Sequence, residues 1–200
     1  LGIETGDVKL NLDKMMKNKE KAVSILTKGV EFLFKKNKVT YLKGFGSFIS
    51  DKKISVKGED GKKKEIEAKN IIIATGSEAM PMPNVEFDEK TIVSSTGALS
   101  LKEVPKSLVV VGGGYIGLEM GSVWSRLGAE VNVIEFLDHI TPGMDREISE
   151  EFMKILKKQN IKFHLNRKVT SIKKTNNGVQ ISTSDKNGDN KEFNCDVALI

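Results

Sequence analysis

A chain of 200 residues, 38% hydrophobic and 30% charged, carries enough apolar material for one large domain or parts of two, and is not of disordered composition. The formal net charge of +5 comes from lysines dispersed among acids, and with only 6% aromatic residues no nucleic-acid-binding stripe stands out. No apolar run approaches the roughly 20 residues of a membrane-spanning helix, so neither a nucleic acid nor a membrane is an expected partner.

Leu10 to Lys36 reads as a long helix, with Asn11 or Asp13 as its cap and Ala22, Leu26, Val30 and Leu33 at helical spacing. Asn37 to Lys69 then reads as β structure, with a hairpin turn in GEDGKKK. The basic run Lys62 to Lys64 belongs to that solvated turn. Ile71 to Ser77 (IIIATGS) is a wholly apolar run that predicts a buried strand. Pro81 and Pro83 forbid a regular element in the stretch that follows. STGALSL predicts a capped single helical turn, and Pro105 precedes a second apolar strand, Lys106 to Val111.

From there strand and helix alternate. A helix to about Leu127 is expected to turn Ile116, Met120, Val123 and Leu127 inward, and Gly128 stops it. AEVNVIE is the next strand. DREISEEFMKILKKQN is a helix with Ile148, Phe152, Ile155 and Leu156 inward, its acids early and its lysines late. IKFHLN is a strand that places His164 on its polar face, and Lys168 to Ile200 reads as a β-meander. Such alternation with short connections predicts a parallel, doubly wound α/β sheet. The chain opens at Leu1 and stops within an apolar run, Val197 to Ile200, that reads as the middle of a buried strand, so it is expected to be part of a longer protein.

The chemistry concentrates in VVVGGGYIGLE, Val109 to Glu119. Gly112, Gly114 and Gly117 fit G-x-G-x-x-G after an apolar strand and before an amphipathic helix, with an acid, Glu135, closing the second strand. Gly112 permits a tight turn, Gly114 lets a pyrophosphate approach the main chain, and Gly117 lets helix and strand pack closely. The helix N-terminus favours the phosphate charge. Glu135 can accept hydrogen bonds from both adenosine ribose hydroxyls and would repel a 2′-phosphate, so NAD is expected over NADP. Cys195, the single cysteine, cannot form a disulfide within the chain and reads as a small buried strand residue. No histidine, cysteine and acid cluster has metal spacing, and neither His139 nor His164 is assigned a direct role.

Beyond these readings, LNLDKMM, GFGSF, IIIATGSE, TIVSSTGALSLKEVP, the long stretch from VVVGGGYIGLE through EFMKILKKQ, and FNCDVALI together resemble the dihydrolipoamide dehydrogenases of mitochondrial and alphaproteobacterial type, within the flavoprotein disulfide reductases. The resemblance implies a Rossmann-like NAD-binding domain over residues 105–200, incomplete at its C-terminal end. It also implies the C-terminal part of a Rossmann-like FAD-binding domain over residues 1–78, with 79–104 connecting them. Matched residue by residue, Gly112, Gly113, Gly114, Tyr115, Ile116, Gly117, Leu118 and Glu119 form the NAD pyrophosphate loop, and Glu119 lies beside the nicotinamide. Glu135 is the ribose acid, and Val169 lines the adenine pocket. Gly46, Thr75, Gly76 and Ser77 approach FAD. Tyr115 stands where many lipoamide enzymes carry an aliphatic residue and glutathione reductases a tyrosine that lids the flavin.

The implied activity is oxidation of protein-bound dihydrolipoamide through a redox disulfide and FAD to NAD⁺. The implied setting is a homodimer in the mitochondrial matrix or bacterial cytoplasm, serving lipoyl domains of 2-oxoacid dehydrogenase complexes. The family's first FAD glycine motif, its C-x-x-x-x-C disulfide and its His-Glu pair have no match here, so residues 1–200 alone are expected to be inactive. Another flavoprotein disulfide reductase, of glutathione or mercuric type, and a non-catalytic NAD-binding fragment remain the alternatives.

Overall fold

A computed structural model describes residues 2, 6–80 and 82–200, which divide into two compact units: residues 15–78, and residues 79–200 together with the segment ahead of residue 15. Pro81 lies outside the described residues. No helix among them is long and apolar enough to cross a membrane.

The first unit holds all but the first three residues of α1 (Leu12–Lys36), whose start is capped by Asn11 Oδ1 accepting from the Lys14 N–H at 2.9 Å. The helix has the expected apolar spacing but buries none of its side chains, and Leu26 is 71% exposed. β1 (Phe45–Ser50), β2 (Lys53–Lys57) and β3 (Lys63–Glu67) form an antiparallel sheet in that order, with the hairpin closed between Gly58 and Lys62. Residues 39–44, read as the start of the β region, form no strand. Neither do Ile71 to Ser77, and Ile72 and Ile73 are exposed. The reason is physical: a buried parallel strand exists only where neighbours take up its N–H and C=O groups, and no described strand pairs with this segment.

The second unit is built on a five-stranded parallel sheet. Its strands in chain order are β4 (Ile92–Val93), β5 (Ser107–Val111), β6 (Glu130–Ile134), β7 (Lys162–His164) and, after the strands β8–β10 described below, β11 (Val197–Leu199). Their spatial order is β4-β11-β5-β6-β7. Residues 79–104, the expected connecting segment, contribute β4 and the expected helical turn, α2 (Ser95–Ala98), capped by the Ser94 hydroxyl. Asp88 ties this segment down, accepting from the Thr91 hydroxyl, from the Thr91 and Ile92 N–H groups, and from Lys174. Burial alone would raise its carboxyl, but these donors outweigh it and hold Asp88 well below the usual range.

One face of the sheet carries α3 (Tyr115–Arg126) and α4 (Arg146–Lys158), joined where the Ser122 and Ser125 hydroxyls bond Gln159. The other face carries an antiparallel meander, β8 (Lys168–Thr175), β9 (Gly178–Ser184) and β10 (Asn190–Cys195). The meander expected to run to Ile200 therefore ends at Cys195, and the next residues return to the parallel sheet as β11, buried along its length. Val109, Ile134 and Ala198 of the sheet pack with Val169, Val179, Ile181, Phe193 and Cys195 of the meander. His164 is correspondingly not on a solvated face. It is half-buried, with Nε2 at 2.9 Å from Asn132 Oδ1 and its ring edge-on to Phe193. Burial, then the positive charges of Lys191, Arg167 and Lys162, pushes its pKa down. Burial raises the Cys195 thiol to about 12, which makes it an inert core residue.

The inward faces of both helices differ in part from those expected, although Leu156 is buried as expected. α3 buries Leu118, Gly121, Ser122 and Trp124, while Ile116 is exposed. α4 buries Ser149 and Leu156 and leaves Ile148 63% exposed, with Ile155 exposed as well. Apolar spacing misleads here because closeness to the sheet, not bulk, decides which face is inward. A Cβ on Gly117 would lie 2.7 Å from Val110 Cγ1, and one on Gly121 would lie 3.3 Å from Val131 Cγ1. Gly117→Ala is therefore expected to destabilise the fold by roughly 1–3 kcal/mol through overpacking. Val110→Ala in the same chain should recover part of that loss, both read as shifts in the urea unfolding midpoint.

Candidate functional site

The sheet topology locates the site before any side chain is considered. The chain proceeds from β5 to β6 to β7 on one side, and β11 then lands on the opposite side of β5. In open α/β sheets the crevice at such a reversal, outside the carboxyl ends of the strands, is where ligands bind. The loop leaving the carboxyl end of β5 is Gly112 to Gly114.

Gly112 has φ +102°, a left-handed conformation that glycine adopts without strain. Its N–H donates to Ile134 O at 2.8 Å, tying the start of the loop to β6. Gly114 caps α3 in an extended conformation and brings no side-chain cap to the helix. The first-turn N–H groups of a helix have no partners within it, and a Cβ on Gly114 would meet nothing within 4 Å. The result is an open, partially positive helix end facing free space, a setting suited to an anion.

Glu135 follows the last residue of β6. Its backbone is fixed on both sides, its N–H to His164 O at 3.0 Å and its C=O accepting from the Arg167 N–H at 2.9 Å. Its side chain is only 7% exposed. Oε2 accepts from the Gly113 N–H at 2.5 Å and Oε1 from the Leu137 N–H at 2.7 Å. An ionised carboxylate offers about four lone-pair sites, so two acceptor positions stay available to a ligand beside the glycine loop. The structure thus gives Glu135 a part that spacing did not reveal: it holds the loop it stands next to.

The remaining expected site residues fall in two environments. Tyr115 is 62% exposed at the first turn of α3, Ile116 follows it, and Glu119 lies one turn further, also exposed. Leu118 is buried under the helix, and Val169 is buried near the start of β8 among the residues that join sheet and meander. Gly46 (in β1) and Thr75, Gly76 and Ser77 belong to the other unit; Gly76 has φ +78°. Beyond Glu135, Asp138 is held below the usual carboxylate range by the Arg146 guanidinium and by His139, whose Nδ1 lies 2.7 Å from it. No described group of three or more His, Cys, Asp and Glu could hold a metal ion.

A dinucleotide-type glycine loop at the reversal point of a parallel sheet, with an acid closing the next strand, agrees with comparison to known proteins. The family model described as pyridine nucleotide-disulphide oxidoreductase matches residues 4–200. The chain belongs to that family. A dihydrolipoamide dehydrogenase of Chaetomium thermophilum is 58% identical over the whole of this chain and 40% of its own length. A mitochondrial dihydrolipoyl dehydrogenase of Schizosaccharomyces pombe is 54% identical over the whole chain and 39% of its own length. Among solved structures, the HOCl-induced flavoprotein disulfide reductase of Escherichia coli superposes with a TM-score of 0.75 at 28% identity, over 94% of this chain and 41% of its own. The resemblance read from the sequence is borne out in these relatives. The chain spans about 40% of the length of the curated relatives it matches.

Within the pyridine nucleotide-disulphide oxidoreductase fold, the Glu135–Gly113 contact makes a stability prediction. In Glu135→Gln one oxygen becomes an NH₂ that faces a backbone N–H, either that of Gly113 or that of Leu137. Leaving a buried donor without an acceptor costs about 1–3 kcal/mol. A lowered urea midpoint in the variant checks this, and an unchanged midpoint would show that the carboxylate does not order the loop.

Proposed function

We propose that this chain is the NAD-binding part, with part of the FAD-binding part, of an NAD-dependent dihydrolipoamide dehydrogenase that oxidises protein-bound dihydrolipoamide. The observation that carries the reading is the open α3 N-terminus beside Glu135, in a chain 58% identical to a dihydrolipoamide dehydrogenase along its whole length. The domain assignment in this reading is that residues 105–200 hold NAD, with β4 completing their sheet, and residues 1–78 contribute to the FAD side. When bound, FAD and NAD⁺ would supply the two-electron chemistry between dithiol and nicotinamide, FAD held by Gly46, Thr75, Gly76 and Ser77 and NAD⁺ by the glycine loop and Glu135.

In this reading the pyrophosphate lies against Gly112, Gly113, Gly114, Ile116 and Gly117. There the open space at Gly114 admits it and the first turn of α3 offers N–H donors. Leu118 anchors the helix, and Val169 backs the adenine side. Glu135 accepts from the ribose hydroxyls with the lone pairs its loop contacts leave over, and its charge repels a 2′-phosphate. Tyr115 covers the flavin face until nicotinamide arrives, and Glu119 then holds the nicotinamide ring in range, a positioning role. Gly46, Thr75, Gly76 and Ser77 contact FAD. The mitochondrial naming of the S. pombe relative supports a mitochondrial location. Lipoyl domains of 2-oxoacid dehydrogenase complexes are the proposed partners, and a homodimer the proposed assembly.

Steady-state kinetics of the full-length enzyme with both nicotinamide cofactors test the assignment. NAD⁺ should be preferred by on the order of 100-fold or more in kcat/KM, because a site built for one polar group leaves charges unpaired with the other. Equal use of NADP⁺ would sink the role of Glu135. Absence of dihydrolipoamide oxidation would sink the substrate. A second experiment isolates the nicotinamide side. Glu119→Gln should slow electron exchange between flavin and nicotinamide in rapid-mixing absorbance and leave reduction by dithiol nearly intact. Slowing of the dithiol step alone would refute the role given to Glu119.

A further inference from the structure

Thr141, in the loop between Glu135 and α4, holds a conformation its side chain disfavours. Its φ is +50°, a region few β-branched residues enter, and it precedes Pro142, which steers its neighbour toward extended backbone. Residues are held this way only where their surroundings over-determine them.

The surroundings are on view. Thr141 is 8% exposed and every polar group it has is engaged. Its N–H donates to Gly113 O at 2.7 Å. Its C=O accepts from the Met144 N–H at 3.1 Å, closing a turn through Pro142 and Gly143, whose φ of +89° fits the third position of a type II turn. Its Oγ1 lies 2.8 Å from the Ser149 hydroxyl, which is 1% exposed. Ser149 spends its single proton on Asp145 O at 3.0 Å, so Thr141 is the donor between the two hydroxyls. Asp145 in turn caps α4 through Glu147 N–H. Gly113 is therefore gripped on both sides of its residue: its N–H by Glu135, its C=O by Thr141. The next residue in the chain is Gly114, the open end of α3.

We propose that Thr141 is a positioning residue for the dinucleotide: its strained backbone holds the Gly113 carbonyl, and its hydroxyl anchors that grip to α4 through Ser149, so that the glycine loop is already in its binding pose before the cofactor arrives. The proposal rests on the NAD-binding reading of the glycine loop. Pre-organisation of this kind lowers the cost of binding without touching the reaction itself.

Thr141→Val is isosteric, keeps the β-branched strain and deletes only the hydroxyl. In the full-length, flavin-containing enzyme it should raise the KM for NAD⁺ roughly three- to tenfold, the range expected for one lost buried hydrogen bond. Flavin reduction by dihydrolipoamide, followed by rapid mixing, should be unchanged, and kcat should stay within about twofold. Thr141→Ser should restore the wild-type KM. Ser149→Ala removes the acceptor from α4 and should raise KM in the same direction, with the double variant no worse than the single ones. If Thr141→Val gives no soluble enzyme, Ser149→Ala carries the same comparison. An unchanged KM in Thr141→Val, or in Ser149→Ala where that carries the comparison, would overturn the proposal. So would a dithiol step slowed in proportion to the KM change, or a Thr141→Ser variant no better than Thr141→Val. A wild-type enzyme that does not bind NAD⁺ would refute the functional reading itself, a result distinct from all of these.

Discussion

The contact between Gly117 and Val110 sets the geometry on which the site depends. Because no Cβ intervenes, α3 lies directly against β5 and β6, and Gly121 extends the same close approach one turn further along. That closeness leaves only three residues between the last residue of β5 and the first of α3. A longer or looser connection would move the helix end away from the carboxyl edge of the sheet. The N–H groups of the first turn would then point past the crevice instead of into it. Packing in the core and the placing of the glycine loop are consequences of one constraint.

The second unit divides its sheet faces by this constraint. Leu108, Val110, Val131 and Val133 are fully buried residues at alternate positions of β5 and β6, and Val110 and Val131 meet the glycines of α3. Val109 and Ile134 belong to the other set and pack into the meander. Strands covered on both faces read as continuous apolar runs rather than as alternations. This is why β5 stands out in the sequence so plainly, and burial on both faces is also why His164, on a strand with a polar appearance, turns out to be packed against Phe193.

Legibility followed from the same physics. The strand, loop, helix and acid from Val109 to Glu135 could be read because each element has a local cause: an apolar run, a glycine freed of Cβ, a chain reversal at Gly128. The inward faces of α3 and α4 could be read only in part, because beside Leu118, Trp124 and Leu156 the buried positions are Gly121, Ser122 and Ser149, small residues that carry no hydrophobic signal. Ile71 to Ser77 departs from expectation for the opposite reason: a strong apolar signal gives a strand only if partners exist for its backbone. Val197 to Leu199 has the same kind of composition and does form a strand, between β4 and β5, where both partners are present. The turn at Thr141 was signalled by Pro142 and Gly143, but nothing in the sequence tells that the amide preceding that turn reaches back to Gly113.

In the proposed NAD-binding reading, the double duty of Glu135 bears on how such a site can change its cofactor. A residue that only read the ribose could be exchanged for a cation and would transfer preference to a 2′-phosphate. Glu135 also accepts the Gly113 and Leu137 N–H groups in a nearly closed environment. A cation at that position brings donors to face donors, and the loop that must receive the pyrophosphate loses one of the two groups holding Gly113. The gain in phosphate attraction is then offset by disorder in the surface that binds the rest of the molecule. The selectivity attributed to one carboxylate is thus a property of the carboxylate together with the loop it holds. A route to altered selectivity would first need an independent acceptor for the Gly113 N–H.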